Sequence, residues 1–362
     1  MTPCEISQYR LCQQQIVASH CRTPTEVVAT LGAMQAQDYP GGLWAIGLRQ
    51  PNCTEQGVEK AITERTIVRT WPMRGTLHFV TATDVRWMLA LLTPRIIAGT
   101  ASRARDLELD DHVFARCGKL FVRALTGGRQ LTREAMMDLL EANKIVTAQQ
   151  RGYHILWRLA QAGVIVFAAR VGKSHTFALL EEWLPAVKSP AREAALTELA
   201  RRYFTSHGPA TLTDFAGWSG LKVTDARAGI EGATRHLRSE KLDGVNYWLS
   251  ATATLPCNES PTTHLLPGFD EFILGYKDRS AVLAREHAKK IIPGGNGMFM
   301  PTIIVNSRVV GTWKRTLKKD HVAITTDYFK PVKKAEKKAL ATTAEQYSTF
   351  MARTGPPIIK EA

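Results

Sequence analysis

The chain has 362 residues, 44% of them hydrophobic and 22% charged, which suits two to four globular domains. No apolar stretch approaches the roughly 18 residues of a membrane span, and Met1-Thr2-Pro3-Cys4-Glu5 lacks the basic flank and apolar core of a secretion signal. A formal charge of +14 and a pI of about 9.6 favour a polyanionic partner, most commonly nucleic acid, over a solvated basic surface with no partner.

The first predicted helix opens at Thr23-Pro24-Thr25-Glu26, a capping-box pattern with Pro24 at the first helical position. Val27, Val28 and Leu31 lie on one face of it. The segment Met34-Gln35-Ala36-Gln37-Asp38-Tyr39-Pro40 comes next, between Gly32 and Pro40-Gly41-Gly42, which place it outside a helix. Gln35 and Gln37 diverge by about 200° on a helix but point to one side of an extended chain, so both amides can face one cleft. Spacing alone favours the plainer alternative, in which they cap backbone groups or lie on the surface.

A helix over 55–65 and an extended stretch over 67–80 follow. Arg74, Thr76 and His78 share one face of that stretch. They either approach phosphate and base, or Arg74 and His78 make structural hydrogen bonds.

The middle of the chain is clearer. Thr132 caps a helix through Arg133-Glu134-Ala135-Met136-Met137-Asp138-Leu139-Leu140. Tyr153, Leu156, Trp157, Leu159 and Ala160 form the apolar stripe of a second helix, and Gly163 suits its C-terminal cap. Two β-rich runs, Val164-Ile165-Val166-Phe167-Ala168 and His175-Thr176-Phe177-Ala178-Leu179, flank a turn at Gly172-Lys173. Helix, turn, helix, hairpin is the winged-helix order.

The order recurs downstream. A helix Arg192–His207 stops at Gly208-Pro209. Thr211-Leu212-Thr213-Asp214 opens a short helix ending near Gly220, a second helix covers 224–238, and Asp243-Gly244 turns a hairpin over 241–249. In the C-terminal third, Leu265-Leu266-Pro267, Phe272-Ile273-Leu274, Thr302-Ile303-Ile304-Val305 and Val322-Ala323-Ile324-Thr325 read as strands, with a turn at Asn306-Ser307-Arg308. Residues 277–338 hold 15 Lys or Arg against 5 Asp or Glu, which is +10 of the +14. Lys333-Lys334 and Lys337-Lys338 belong to an exposed helix leading into a loose tail.

The expected fold class is α+β: tandem winged helix-turn-helix domains with a C-terminal β-rich unit. The expected boundaries are 1–120 for a first winged-helix unit, 121–188 for a second, 189–256 for a third, 257–345 for a basic β-rich unit and 346–362 for a tail. Cys4, Cys12, Cys21, Cys53, Cys117 and Cys257 form no Cys-x-x-Cys pair, so reduced cytoplasmic thiols are expected rather than zinc ligands or disulfides. The ten histidines show no His-Glu-x-x-His spacing, so no metal and no cofactor are expected.

Several motifs resemble, in family order, those of the AlkZ/YcaQ family of winged-helix DNA glycosylases. Gln35-Ala36-Gln37 resembles its Gln-apolar-Gln catalytic motif. Arg74-Gly75-Thr76-Leu77-His78, Leu265-Leu266-Pro267-Gly268-Phe269-Asp270, Gly275-Tyr276-Lys277-Asp278-Arg279 and Gly311-Thr312-Trp313-Lys314-Arg315 resemble further family segments. The resemblance implies tandem winged helices forming a cleft for damaged duplex DNA, and removal of N7-alkylated purines, including interstrand crosslinks in some members. The YcaQ branch has Asp at the second motif position, so Gln37 places this chain nearer the AlkZ branch.

Glutamine is neutral and is no ordinary general base. An N7-alkylguanine already carries positive charge and leaves as a neutral molecule, so the protein needs only to place water and align dipoles on an oxocarbenium-like sugar. Gln37 is expected to hold that water and Gln35 to orient the water or Gln37. Lys314, Arg315, Lys318 and Lys319 are expected to hold phosphates, with Arg308 near the tip of a hairpin that probes a groove. The expected protein is thus a cytoplasmic, monomeric enzyme acting on double-stranded DNA with alkylated purines, and not on a membrane. The alternatives are a non-catalytic winged-helix binder such as a transcription regulator, or a basic protein-binding scaffold. The chain shows no heptad dimerisation stretch of the kind a dimeric regulator uses.

Overall fold

The structure is a computed structural model that describes residues 1–255, 262–295 and 297–362. Cys257 and the expected boundary at 256/257 lie outside the described residues. The chain is mixed α+β and packs as two compact units, one formed by 60–195 and the other by 1–59 with 196–362.

In the unit 60–195, strands Ile67–Met73 and Thr76–Thr81 pair antiparallel, with Thr70 opposite His78 and Met73 opposite Thr76. The extended stretch expected over 67–80 is thus a hairpin. Its turn is Arg74-Gly75, both at positive φ (54° and 73°), the geometry of a two-residue hairpin turn that matches strand twist. Trp157 fixes the turn, donating from Nε1 to the Gly75 carbonyl at 3.0 Å. A Cβ on Gly75 would sit 3.2 Å from the same indole, so the turn needs glycine for both its φ and its packing.

Helix Asp111–Leu125 buries Cys117, Phe121 and Leu125, spaced four residues apart along one stripe. Thr132 caps helix Arg133–Ala142 as expected, accepting from the Ala135 N–H at 3.2 Å. Helix Arg151–Gln161 follows, burying Ile155, Leu156 and Leu159, and then Gly163 at φ 72°. Strands Leu131–Thr132, Thr176–Leu179 and Ile165–Phe167 form one sheet in that order.

In the other unit, helix Pro24–Leu31 is capped by Thr23 Oγ1, but Glu26 departs from the capping-box pattern, accepting from the Arg22 N–H at 2.6 Å. Pro40-Gly41-Gly42 do not end a helix but open one, Tyr39–Gly47, with proline tolerated in its first turn. Helix Leu212–Ser219 has a full capping box from Thr211 and Asp214 and ends at Gly220 in the left-handed region. Helix Val223–Ala233 stops short of the expected 238, because Leu237 and Arg238 pair with Ser250 and Leu249 in the hairpin Leu237–Leu242/Val245–Ser250. Asp243-Gly244 turns that hairpin as expected.

A five-stranded sheet follows the order Ile358–Glu361, Val322–Tyr328, Arg308–Leu317, Thr302–Val305, Thr263–Leu266. Two expectations fail here. Phe272-Ile273-Leu274 are not a strand but belong to the short helix Glu271–Leu274, because the Asp270 carboxylate caps the Phe272 N–H at 2.9 Å. The region 346–362 is not a loose tail. Helix Lys334–Phe350 buries Leu340, Ala344, Tyr347 and Phe350 on one stripe, and Ile358–Glu361 adds a parallel edge strand beside Val322–Tyr328. The five described cysteines are free thiols, and burial pushes Cys53 and Cys117 up to about 11.

Candidate active site and DNA-binding residues

The Gln-Ala-Gln segment starts where helix Pro24–Leu31 ends at Gly32, whose φ is 79°. Met34–Gln35 is extended, and the chain bends at Gln37 and Asp38 before helix Tyr39–Gly47 begins. Gln35 is 7% exposed and Ala36 is fully buried, while Gln37 is exposed. The Gln35 side-chain amide oxygen, Oε1, is buried without a hydrogen-bond partner. Leaving such an acceptor unsatisfied costs about 1–3 kcal/mol, and native proteins rarely carry one without a reason.

The segment is held from beneath by a carboxylate. Glu271, 1% exposed, accepts the Gln35 backbone N–H at Oε1 (2.9 Å) and the Trp218 indole N–H at Oε2 (3.0 Å). His207 Nε2 lies 3.5 Å from Oε2, and its Nδ1 lies 2.8 Å from Ser206 Oγ. Burial holds the His207 imidazole below its ordinary range, against the opposing pull of Glu271. Gly275 is required here: a Cβ would stand 2.7 Å from the His207 ring and 2.6 Å from the Glu271 carbonyl.

Glu271 is positioned by its neighbours in sequence. Asp270 forms a bidentate ion pair with Arg49, both bonds 2.8 Å, with the side chains 1% and 0% exposed. Arg49 also donates to the Gln14 carbonyl (2.9 Å). Gln14 donates from its side chain to the Tyr276 hydroxyl (2.9 Å), which donates to the His207 carbonyl (2.8 Å). Two indoles grip the strand that leads into this loop: Trp44 donates to the Leu265 carbonyl and Trp313 to the Leu266 carbonyl, each at 2.7 Å. The segments 265–270 and 275–279 thus build the support under Gln35. Glu271, Trp218 and His207 were not singled out from the sequence. The available signal was a pair of acids, Asp270-Glu271, set between Phe269 and the apolar Phe272-Ile273-Leu274.

The basic residues fall on one hairpin of the same unit. Lys314 is exposed on strand Arg308–Leu317, Arg315 is half-buried with its guanidinium 5.7 Å from the Tyr347 ring centre, and Lys318 and Lys319 are exposed beyond the strand end. Arg308 sits at the other end. The turn Asn306-Ser307 beside it is packed, with Ser307 buried and 2.7 Å from Ser7 Oγ, and Arg308 donates to the Ala281 carbonyl at 2.9 Å. Ser307 anchors that turn to the protein, while Asn306 and Arg308 on either side of it are exposed.

Arg74, Thr76 and His78 lie in the unit 60–195. Thr76 and His78 are on the strand, but Arg74 is in the turn and folds back to place Nη2 3.2 Å from His78 Nε2. His78 is fully buried, with Nδ1 2.9 Å from the Thr76 carbonyl. Arg74 and His78 are thus hydrogen-bonded to each other, as one of the two expected arrangements has them. Among the described residues no group of three or more His, Cys, Asp or Glu is placed to hold a metal ion.

The site is thus an extended Gln-Ala-Gln segment pinned to a buried carboxylate, in a unit that also carries exposed lysines on and beyond the strand Arg308–Leu317. Residues 28–350 match the model of the family described as DNA glycosylase AlkZ-like, and the chain belongs to that family of DNA glycosylases. It is 26% identical over 339 residues to an interstrand DNA cross-link repair glycosylase of Streptomyces sahachiroi, covering 86% of this chain and 87% of that protein. The solved structure of Streptomyces sahachiroi DNA glycosylase AlkZ is similar in fold, with a TM-score of 0.82 at 20% identity over the whole of both chains.

Proposed function

We propose that this glycosylase hydrolyses the N-glycosidic bond of N7-alkylated purines in duplex DNA, bulky adducts and interstrand crosslinks included. The family carries the reaction class. The observation that carries the site is the orphaned side-chain amide oxygen of Gln35, buried beside an exposed Gln37 on a segment pinned to Glu271.

A carbonyl oxygen with no protein donor is a fixed negative dipole. It can accept a proton of an attacking water or face the positive charge that grows on the sugar as the base departs. Gln37 holds the water below the anomeric carbon and Gln35 orients it. The alkylated base leaves neutral, so no proton donor is needed, and the product is an abasic site. The crosslink-repairing relative supports extension to crosslinks.

The helix–helix–hairpin successions at 133–179 and 212–250 are read as winged helices, with a first such unit in the N-terminal part, in a chain that works as a cytoplasmic monomer. Lys314, Arg315, Lys318 and Lys319 hold phosphates. Arg74 contacts DNA with Thr76 beside it, and His78 fixes Arg74.

The test is incubation of the protein with duplexes carrying N7-methylguanine or a bulky N7 adduct. The expected result is free base and an alkali-labile abasic site. Tight binding to an undamaged sequence, with no base released from any alkylated duplex, would instead make the chain a binder.

A further inference from the structure

The carboxylate under the Gln-Ala-Gln segment does more than fill the core. We propose that Glu271 is a positioning residue for the glycosylase reaction: it fixes the backbone of Gln35 so that the amide oxygen stays aimed and unpaired, and Trp218 sets the carboxylate in turn. This rests on the catalytic reading of Gln35.

Both carboxylate oxygens are committed to N–H donors from separate elements, the Gln35 backbone at 2.9 Å and the helix Leu212–Ser219 through Trp218 at 3.0 Å. Charge-assisted bonds of this kind are shorter and stronger than neutral ones. A carboxylate at 1% exposure is costly to bury unless such partners satisfy it. Ionisable groups around it include the His207 ring at 3.5 Å, held below its ordinary range by burial, the Tyr203 and Tyr276 hydroxyls, and the Arg49–Asp270 pair attached through the adjacent residue. The aromatic wall of Tyr203 stacks on His207 at 4.7 Å, and Trp218 lies 4.9 Å from Tyr203. The carboxylate therefore has little freedom to move, and that rigidity passes to the N–H it holds.

The consequence is geometric. An acceptor 2.9 Å from the Gln35 nitrogen determines where the residue's Cα sits, and hence where the amide oxygen points. A displacement of the reacting geometry by about 1 Å costs on the order of a hundredfold in rate. Glu271→Gln replaces one acceptor oxygen with an NH2 that must face an N–H donor. Glu271→Asp withdraws the carboxylate by one methylene. Trp218→Phe removes the donor on Oε2 and leaves the Gln35 backbone N–H and its acceptor chemically unchanged.

The experiment is single-turnover release of N7-methylguanine from saturated enzyme, together with duplex affinity, for the parent, Gln35→Ala, Glu271→Gln, Trp218→Phe and the double variant Gln35→Ala/Glu271→Gln. The expected result is a fall of about tenfold to a hundredfold for Glu271→Gln and a smaller fall for Trp218→Phe. Affinity should stay within about twofold, and Glu271→Gln should have almost no further effect in the Gln35→Ala background, because residues acting as a unit are non-additive. If Glu271→Gln fails to fold, Trp218→Phe and Glu271→Asp carry the same comparison. A parent rate in folded Glu271 and Trp218 variants, or a full additive loss in the double variant, overturns the positioning role while Gln35 stands as catalytic. A parent protein that releases no base overturns the functional reading itself, and the positioning role with it.

Discussion

The buried side-chain amide oxygen of Gln35 and the buried guanidinium of Arg49 show two opposite solutions to hiding a polar atom. Arg49 is fully satisfied: Asp270 takes it bidentately and Gln14 and Ala45 supply further acceptors. Removing one partner of such a pair strands a charge in the interior, at a cost of about 3–5 kcal/mol. Asp270→Ala is accordingly expected to lower the unfolding free energy by about that much, read as a shift of the urea midpoint at unchanged slope. An unshifted midpoint would show that Arg49 finds other partners. The Gln35 side-chain oxygen is left unsatisfied, and the proposed mechanism is what would use it. The glutamine pair was visible in the sequence only through resemblance, because spacing cannot distinguish an amide facing a cleft from one capping a backbone. The acid beneath it was invisible for a different reason: Glu271 lies 236 residues from Gln35 along the chain, and only the fold brings the two together.

At the scale of elements, local signals in the sequence were reliable wherever a cap or a turn decided the conformation. Thr132, Thr211 and Asp243-Gly244 fixed two helix starts and a hairpin where the residue types demand them. They failed where a long-range partner decided. Phe272-Ile273-Leu274 have strand-like side chains, but the Asp270 cap, itself held by Arg49, winds them into a helical turn. Arg74 looked like a strand residue because its left-handed φ is uncommon outside glycine, and Trp157 holding Gly75 is what stabilises the turn.

The cationic hairpin belongs to this scale too. Lys318 and Lys319 are exposed and carry no ion pair among the described residues. A Lys318→Ala/Lys319→Ala variant is expected to weaken duplex binding regardless of sequence and to flatten the plot of log affinity against log salt by about two units. Titrations between low and moderate salt will show it. An unchanged slope would mean that this end of the hairpin does not touch phosphate.

For the whole molecule, charge and burial set the working range. The net charge of +14 favours a polyanion and makes binding salt-sensitive. Each compact unit also holds a histidine that burial depresses strongly. Burial lowers His264 in one unit and His175 in the other to about 4 from an ordinary 6.5, with Arg49 and Arg69 adding repulsion respectively. A depressed folded value means that the unfolded chain binds the proton first. The stabilisation is therefore complete above about pH 6.5 and is lost as the pH falls toward about 4. Urea unfolding at pH 7.5 and pH 5 is expected to show the lower stability at pH 5, and His264→Gln should reduce the difference. Equal midpoints would mean that neither imidazole resists protonation.

In the proposed reaction two uncharged carboxamides, Gln35 and Gln37, carry out the glycosidic hydrolysis while other groups hold the DNA. The most direct measurement is the single-turnover rate of N7-methylguanine release by Gln35→Ala and Gln37→Ala, with duplex affinity measured beside it. Each rate is expected to drop, by about a hundredfold for Gln37→Ala, while affinity holds. Rates equal to the parent's, or losses explained wholly by weaker binding, would contradict it.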